Sequence, residues 1–395
     1  MIRMKSKSFL GAILLSLSLL TIVFSCSGIV HAQSLVPEQI TTMKAVVLRV
    51  ASQTSENVAG TGASSTVQML DVKILDGDEQ GKFMTVENDY TIFKVGDVLY
   101  LTHDVDKLEG MDMYAVADAY RLPWLYGLVG LFIVCVLIFG GKQGFRGLIA
   151  LALSFLAIAY LLFPGILHGF SPVLMSIGVA SVMIILGSYI THGFNKVTTS
   201  AVIGMVATII VTGLLAYISI HGAKLTGFAS EESVYLNMDT GGSINFAGLL
   251  LGGIIIGLLG VLYDAAIGQA VAVDELHHVG PHLPRNVIFK RALRIGREHI
   301  GALVNILAIA YVGASLPLLL LFYQSGADFS LTINREIFAT EIVRTMVGSI
   351  GLILAVPLTT LIAVFLLMKK KDVGASDESV IAGEMQKVEE VEHKH

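Results

Sequence analysis

Seven positions of one apolar segment carry the most chemical information in this sequence. Successive members are three or four residues apart: Gly253, Gly257, Gly260, Asp264, Gly268, Val271 and Glu275. At 100° per residue, this spacing places all seven along one narrow stripe of a helix. Glycines on one stripe let a second helix approach closely. We therefore predict that the four glycines are helix-packing positions and that Asp264 lies on a packed face or beside a water-filled cavity.

Asp264 has two interpretations. A charged side chain near the centre of a bilayer costs about 3 kcal/mol, so its presence needs a reason. The functional interpretation is a proton or cation site at Asp264, with Gln269 and Glu275 further along a transport path. The alternative is a neutral or paired carboxyl group that only locks helix packing.

Other polar residues in apolar runs are candidates for the same path. Glu298 and Asn305 are seven residues apart and share a helix face, and Arg297 precedes them. Glu341 and Arg344 are three residues apart and can pair on one face, which lowers the cost of placing both in a span. Each of these residues taken alone is also explained by polar contacts between helices.

The sequence lacks the motifs of soluble enzymes. It contains no HExxH, no GxSxG and no phosphate-binding loop with the required spacing. His277, His278 and His282, next to Asp274 and Glu275, could bind a metal, but the prolines at 281 and 284 leave no fixed ligand geometry. The alternative is a basic loop on anionic lipid headgroups. We expect no enzymatic activity, no cofactor and no metal site.

Composition indicates the elements that must position these residues. The 395 residues are 54% hydrophobic and 14% charged, whereas soluble domains carry about 25% charged residues. Runs of about 20 apolar residues match the thickness of a bilayer core. We predict seven spans and a lipid partner; the runs are 124–140, 148–163, 172–190, 198–220, 244–273, 300–323 and 344–368.

The loops between these runs alternate in charge. Lysine and arginine concentrate near 142–146, 192–196, 285–297 and 369–371, and acids near 231–239 and 328–336. Short cytoplasmic loops are the basic ones. With seven spans, residues 33–121 are extracytoplasmic and the C-terminus is cytoplasmic in a plasma membrane.

Both ends of the chain are predicted to lie outside the group of membrane spans. A basic flank, an apolar stretch and small residues before Gln33 predict a signal peptide over residues 1–32. An uncleaved anchor helix and a lipoprotein cysteine at Cys26 are the alternatives. Residues 369–395 are too polar to bury a core and are predicted to be a disordered cytoplasmic tail.

Residues 33–121 have the alternation of short β-strands. The patterns 44–50, 66–75, 82–87, 98–102 and 113–117 are separated by Gly- and Asp-containing turns. This pattern predicts a small β-rich domain, and a barrel resembling an OB-fold is the favoured fold. It has no basic surface with interleaved aromatics, so we expect no nucleic-acid partner.

The sequence also resembles the YibE/F family of bacterial membrane proteins over most of the mature chain. The shared patterns are Val72-Lys-Ile-Leu-Asp-Gly77, Val95-Gly-Asp97, Gly257-Leu-Leu-Gly260-Val-Leu-Tyr-Asp264-Ala-Ala-Ile-Gly268, Gly296-Arg-Glu-His-Ile-Gly301, Gly313-Ala-Ser-Leu-Pro317, Glu341-Ile-Val-Arg344-Thr-Met-Val-Gly348-Ser-Ile-Gly351 and Pro357-Leu-Thr359. The family pattern commonly has Asp after Arg297, where this chain has Glu298. The resemblance implies a multi-span plasma-membrane protein and implies no substrate.

Together these observations predict an α-helical polytopic membrane bundle, residues 122–368, C-terminal to the β-rich domain. The expected function is a secondary transporter or channel-like permease for a small solute or ion, driven by a gradient because no nucleotide site is present. The alternative is a membrane scaffold or regulator whose outer β domain binds a protein partner. The sequence leaves a homo-oligomer possible.

Overall fold

The computed structural model describes residues 41–57, 64–106, 111–326 and 328–368. The predicted signal peptide and the predicted tail lie outside the described residues. The described chain divides into two compact units, one ending at Phe139 and the other beginning at Gly140.

The first unit contains a five-stranded antiparallel sheet. Its strands are β1 Thr41–Asn57, β2 Ser64–Ile74, β3 Phe83–Asn88, β4 Val98–Asp106 and β5 Met111–Ala119. Their order across the sheet is β3-β2-β1-β4-β5, so β3 and β5 are its edges. The predicted strands are therefore confirmed in position, whereas the OB-like closure stays a prediction.

One face of this sheet forms an apolar core of its own. Alternate residues of the central strands are buried there, including Ala45, Leu70, Val72 and Leu99, each 0% exposed. This is the two-residue period of a strand with one covered face. At Leu48 the pairing of β1 with β2 shifts, because Val47 faces Val72 and Arg49 faces Asp71. The side chain of Leu48 is left 43% exposed.

The remainder of the chain is helical. The helices are α1 Leu122–Ala157, α2 Phe163–Leu167, α3 Pro172–His192, α4 Lys196–Gly222, α5 Glu231–Asp239, α6 Phe246–Val279, α7 Arg285–Ala314, α8 Leu316–Ser325, α9 Phe329–Asn334 and α10 Glu336–Leu367. A π-helical turn, Ile158–Leu162, joins α1 to α2.

Within the described residues, six helical segments are long and apolar enough to cross a membrane. The first, Leu122–Leu167, has 46 residues. At 1.5 Å per residue it would measure about 69 Å, twice the thickness of a bilayer core. It is broken at Gly141, whose backbone angles of φ 51° and ψ −135° are not helical. The break falls between two of the predicted spans.

The core of the helical unit is built by close approaches between helices. A Cβ at Gly204 of α4 would lie 2.9 Å from the Cα of Thr359 in α10, and a Cβ at Gly351 of α10 would lie 2.9 Å from Thr212 Cγ2 in α4. The two contacts run in opposite directions along the helices, so α4 and α10 are antiparallel. Small residues permit this spacing where larger ones would force the backbones apart.

Two tertiary contacts mark opposite ends of this unit. At one end, the carboxylate of Glu336 accepts hydrogen bonds from the backbone N–H groups of Thr226 and Gly227 and from the Thr226 hydroxyl, at 2.7–2.9 Å. At the other end, the Arg285 guanidinium donates to the carbonyl of Met368 and lies over the Phe365 ring. These contacts fix the start and the end of α10 against other helices.

Candidate functional site

The predicted stripe of α6 lies on the outside of the helical unit. Its glycines, Asp264, Val271 and Glu275 are all exposed within this chain. A Cβ at Gly253, Gly260 or Gly268 would meet nothing within 4 Å, and only Gly257 has a neighbour, the Tyr311 hydroxyl at 2.8 Å. This differs from the prediction of glycines packed against a helix of this chain and of a sheltered Asp264.

The physical reason is that α6 is apolar around most of its circumference. Periodicity identifies residues that share a face but does not say which face meets the bundle. The glycine that packs closely is instead Gly252, whose Cβ would lie 3.1 Å from the Cβ of Ser176 in α3. About three turns further along, Gly187 of α3 accommodates the ring of Tyr263, whose hydroxyl donates to the Met183 carbonyl at 2.7 Å.

Gln269 is the member of the predicted path that α6 does bury. Its side chain is 3% exposed and its amide donates to the carbonyl of Ala292 in α7 at 2.7 Å. The absence of a side chain at Gly296 leaves room for it, because a Cβ there would lie 2.7 Å from its Oε1. Gln269 therefore ties α6 to α7.

The structure places Arg297, Glu298 and Asn305 on the exposed part of α7. The predicted basic loop is largely helical, since α6 continues to Val279 and α7 already begins at Arg285. Charges lowered the apparent hydropathy of this region, which is why the pattern indicated a loop. The three side chains share a helix but are not gathered into an enclosed cavity.

Glu341 and Arg344 do come together. Arg344 Nη1 lies 3.0 Å from Glu341 Oε1 in α10, as the spacing of three predicts, and the side chains are 32% and 27% exposed for Arg344 and Glu341. Nε of Arg344 is buried and has no hydrogen-bond partner among the described residues. Tyr311 of α7 interacts electrostatically with both charges. Tyr311 therefore links α7 to α6 at Gly257 and lies within electrostatic range of the pair on α10.

Buried hydroxyl groups without partners among the described residues also occur elsewhere on α10 and on α4. Thr340 and Ser349, one on each side of the pair along α10, are 2% and 6% exposed, and Thr212 of α4 is 0% exposed. The hydroxyl oxygens of all three lack a hydrogen-bond partner within the described part of the chain. Buried polar groups without a partner are costly, so a water molecule or a polar ligand at any one of these hydroxyls would be stabilised.

Sequence reasoning missed Tyr311 and the Glu336 contact. Tyr311 stands in an apolar run where an aromatic residue is ordinary, and its position opposite Gly257 depends on how α6 and α7 cross. Glu336 accepts from a turn 109 and 110 residues earlier in the chain. Neither has a local signal, and only the fold pairs them.

The fold defines a class: a protein of long apolar helices, compatible with a membrane protein, that also carries a small β domain. The YibE/F-like family matches residues 128–369, which cover more than half of the chain. The chain belongs to this family. Neither a curated protein nor a solved structure matches it.

Proposed function

We propose that this protein is a plasma-membrane permease for a small solute or ion, and that the Glu341–Arg344 pair is its polar site. One observation carries the proposal. An ion pair stands inside an otherwise apolar helix, with a buried guanidinium nitrogen that no described residue engages. Charges inside a span are costly and usually mark ion or solute pathways.

In the proposed arrangement the chain crosses the membrane seven times. The Gly141 break divides the 46-residue segment into two helices, each near the length that a bilayer requires. Together with the five other candidate spans this gives seven. Residues 33–121 are then extracytoplasmic, and the C-terminus is cytoplasmic.

Charge supports this orientation. Glu336 and the acids of α5 lie at the end of the bundle where α4 ends and α6 begins. Arg285 and Lys196 lie at the opposite end. Short basic segments face the cytoplasm, so the Arg285 end is the cytoplasmic one.

In this scheme the ion pair holds two groups that a polar solute can engage. Arg344 keeps an N–H donor that Glu341 does not use, and the Thr340 hydroxyl adds a second unengaged group. The pair keeps each charge compensated while the site is empty. A solute or hydrated ion then replaces part of that compensation instead of creating a new charge in the bundle.

Flux measurements test the proposal. The full chain would be reconstituted in liposomes containing trapped dyes for protons, monovalent cations and chloride. We expect Glu341→Gln and Arg344→Gln to lower flux about tenfold or more, equivalent to 1.4 kcal/mol of site stabilisation. Asp239→Asn, a loss of an exposed acid on α5, is the matched control and should leave flux unchanged. Flux that is equal in all four proteins would remove the pair from the mechanism.

A scaffold function is the second candidate, and a groove on the β domain favours it. The groove has a volume of about 360 Å³ and is lined by residues of β1, β2 and β3, including Leu48, Phe83 and Met84. Phe83 is 65% exposed. A pull-down tests this function. The full chain and its Phe83→Ser variant, which loses the exposed aromatic ring of the groove, are each used as bait in an extracytoplasmic extract. Equal capture by both proteins would contradict it.

A further inference from the structure

Apart from Val287 in its first turn, which is also buried, the first half of α7 has one buried face and one basic face. Ile288 and Ala292 are 0% exposed, and the backbone of Gly296 packs against Gln269 and Val356. At 100° per residue these three positions span an arc of about 80°. They fix the orientation of this half of the helix on the bundle.

The basic face consists of Lys290, Arg291, Arg294 and Arg297. Lys290, Arg294 and Arg297 are exposed, and Arg291 is half-buried. Their positions span about 120° and are centred about 160° from the buried positions. Glu298 is the acid at the end of this face. The helix therefore directs Lys290, Arg294 and Arg297 away from the bundle, with Arg291 at the edge of this face.

The length of α7 determines where these cations lie. Its 30 residues measure about 45 Å, and a bilayer core is about 30 Å thick. At least about ten residues must therefore extend beyond the core. The apolar part begins after His299, and Arg285 at the start of α7 is tied to Met368 at the cytoplasmic end of α10. The basic face consequently lies at the level of the cytoplasmic headgroups.

We propose that the basic face of α7 binds anionic phospholipid headgroups. It lies where a membrane-spanning helix leaves the apolar core, at the level of the headgroup phosphates, and a single acid, Glu298, stands beside its cations. Each Lys or Arg near such a surface contributes about 1 kcal/mol of attraction. The inference rests on the membrane placement in the proposed function and is independent of transport.

The test uses the full chain in lipid nanodiscs of phosphatidylcholine with a minority of phosphatidylglycerol. A donor dye is attached at Asn286→Cys, an exposed position next to the basic face, in a Cys26→Ser, Cys135→Ser background. Energy transfer to headgroup-labelled phosphatidylglycerol is compared with transfer to headgroup-labelled phosphatidylcholine. We expect enrichment of the anionic lipid, lost at high salt because screening weakens the attraction.

Two double variants locate the effect. Lys290→Gln with Arg297→Gln should lower the enrichment, on the order of fivefold for each cation removed. Lys224→Gln with Arg335→Gln removes the same charge at the opposite end and should leave it unchanged. If the first pair does not fold, the salt titration of the labelled Asn286→Cys protein, with all its lysines and arginines intact, still decides the question.

Other outcomes overturn the inference. Equal transfer to both lipids, or an equal loss in both double variants, would contradict a headgroup site on α7. Loss of enrichment on adding inorganic phosphate would indicate a site for a free anion, and enrichment that persists at high salt would indicate apolar contacts. Failure of the flux experiment with normal lipid enrichment would affect only the permease proposal.

Discussion

Tyr114 shows how single residues organise the β domain. Its hydroxyl donates to the Glu79 carboxylate at 2.8 Å and accepts from Lys82 Nζ at 3.0 Å, and its ring stacks on His103 at 4.4 Å. The hydrogen bonds from Lys82 and Tyr114 hold the pKa of Glu79 below its ordinary value. Glu79 stands with Asp76 and Asp78 in the turn after β2, and the hydrogen bond from Tyr114 ties this turn to β5.

Replacing Tyr114 by Phe should therefore lower the free energy of unfolding of the β domain by about 1 kcal/mol. Because the pKa of Glu79 is lowered by folding, its stabilisation is present above the unfolded pKa and is lost as the pH falls through the folded pKa. The difference between the two proteins should be complete at neutral pH and shrink below about pH 4. Hydrogen exchange of the β3 and β5 amides measures this difference in the free energy of unfolding. A difference that stays constant with pH would refute the hydrogen bond between Tyr114 and ionised Glu79.

At the scale of elements, the glycines separate into two groups that the sequence does not distinguish. Gly204 and Gly351 lie at the crossing of α4 and α10, whereas Gly253, Gly260 and Gly268 face outward. The helix positions were predictable from the apolar runs, and the strands from alternation. The face of α6 that meets the bundle was not predictable from the sequence, because it depends on side chains of α3, α7 and α10 that are distant along the chain.

This difference predicts opposite effects for one substitution. Gly204→Ala places a Cβ 2.9 Å from the Thr359 backbone and should cost about 1–3 kcal/mol through overpacking. Gly260→Ala meets nothing within 4 Å and should be neutral or slightly stabilising, because alanine favours helices. Thermal unfolding of the detergent-solubilised proteins compares them. Equal melting temperatures would contradict the packing of α4 on α10.

At the scale of the whole molecule, the number of spans decides whether the β domain and helix α5 lie on the same side of the membrane. Six spans and seven spans differ only in whether Leu122–Leu167 crosses once or twice. The apolar runs alone predict two crossings, and the Gly141 break lies between them. The sequence could not fix the polar site in the same way, because Tyr311 reaches Gly257 and the pair only through the packing of α7.

Cysteine labelling of intact cells measures the topology. In a Cys26→Ser, Cys135→Ser background, Thr85→Cys in the β domain and Ser233→Cys in α5 should both react with an impermeant maleimide. Lys290→Cys should react only after the cells are opened. With six spans, residues 85 and 233 would lie on opposite sides, so protection of one of the two would refute the seven-span arrangement.

The central claim is that Glu341 and Arg344 form a solute site and do more than hold α10 in place. Exchanging them, as Glu341→Arg with Arg344→Glu, keeps the ion pair at the same spacing but moves the guanidinium by three residues. We predict that the exchanged protein melts within a few degrees of the wild type while its flux in proteoliposomes stays about tenfold or more below it. Recovery of both stability and flux would show that the pair is structural and would contradict the account.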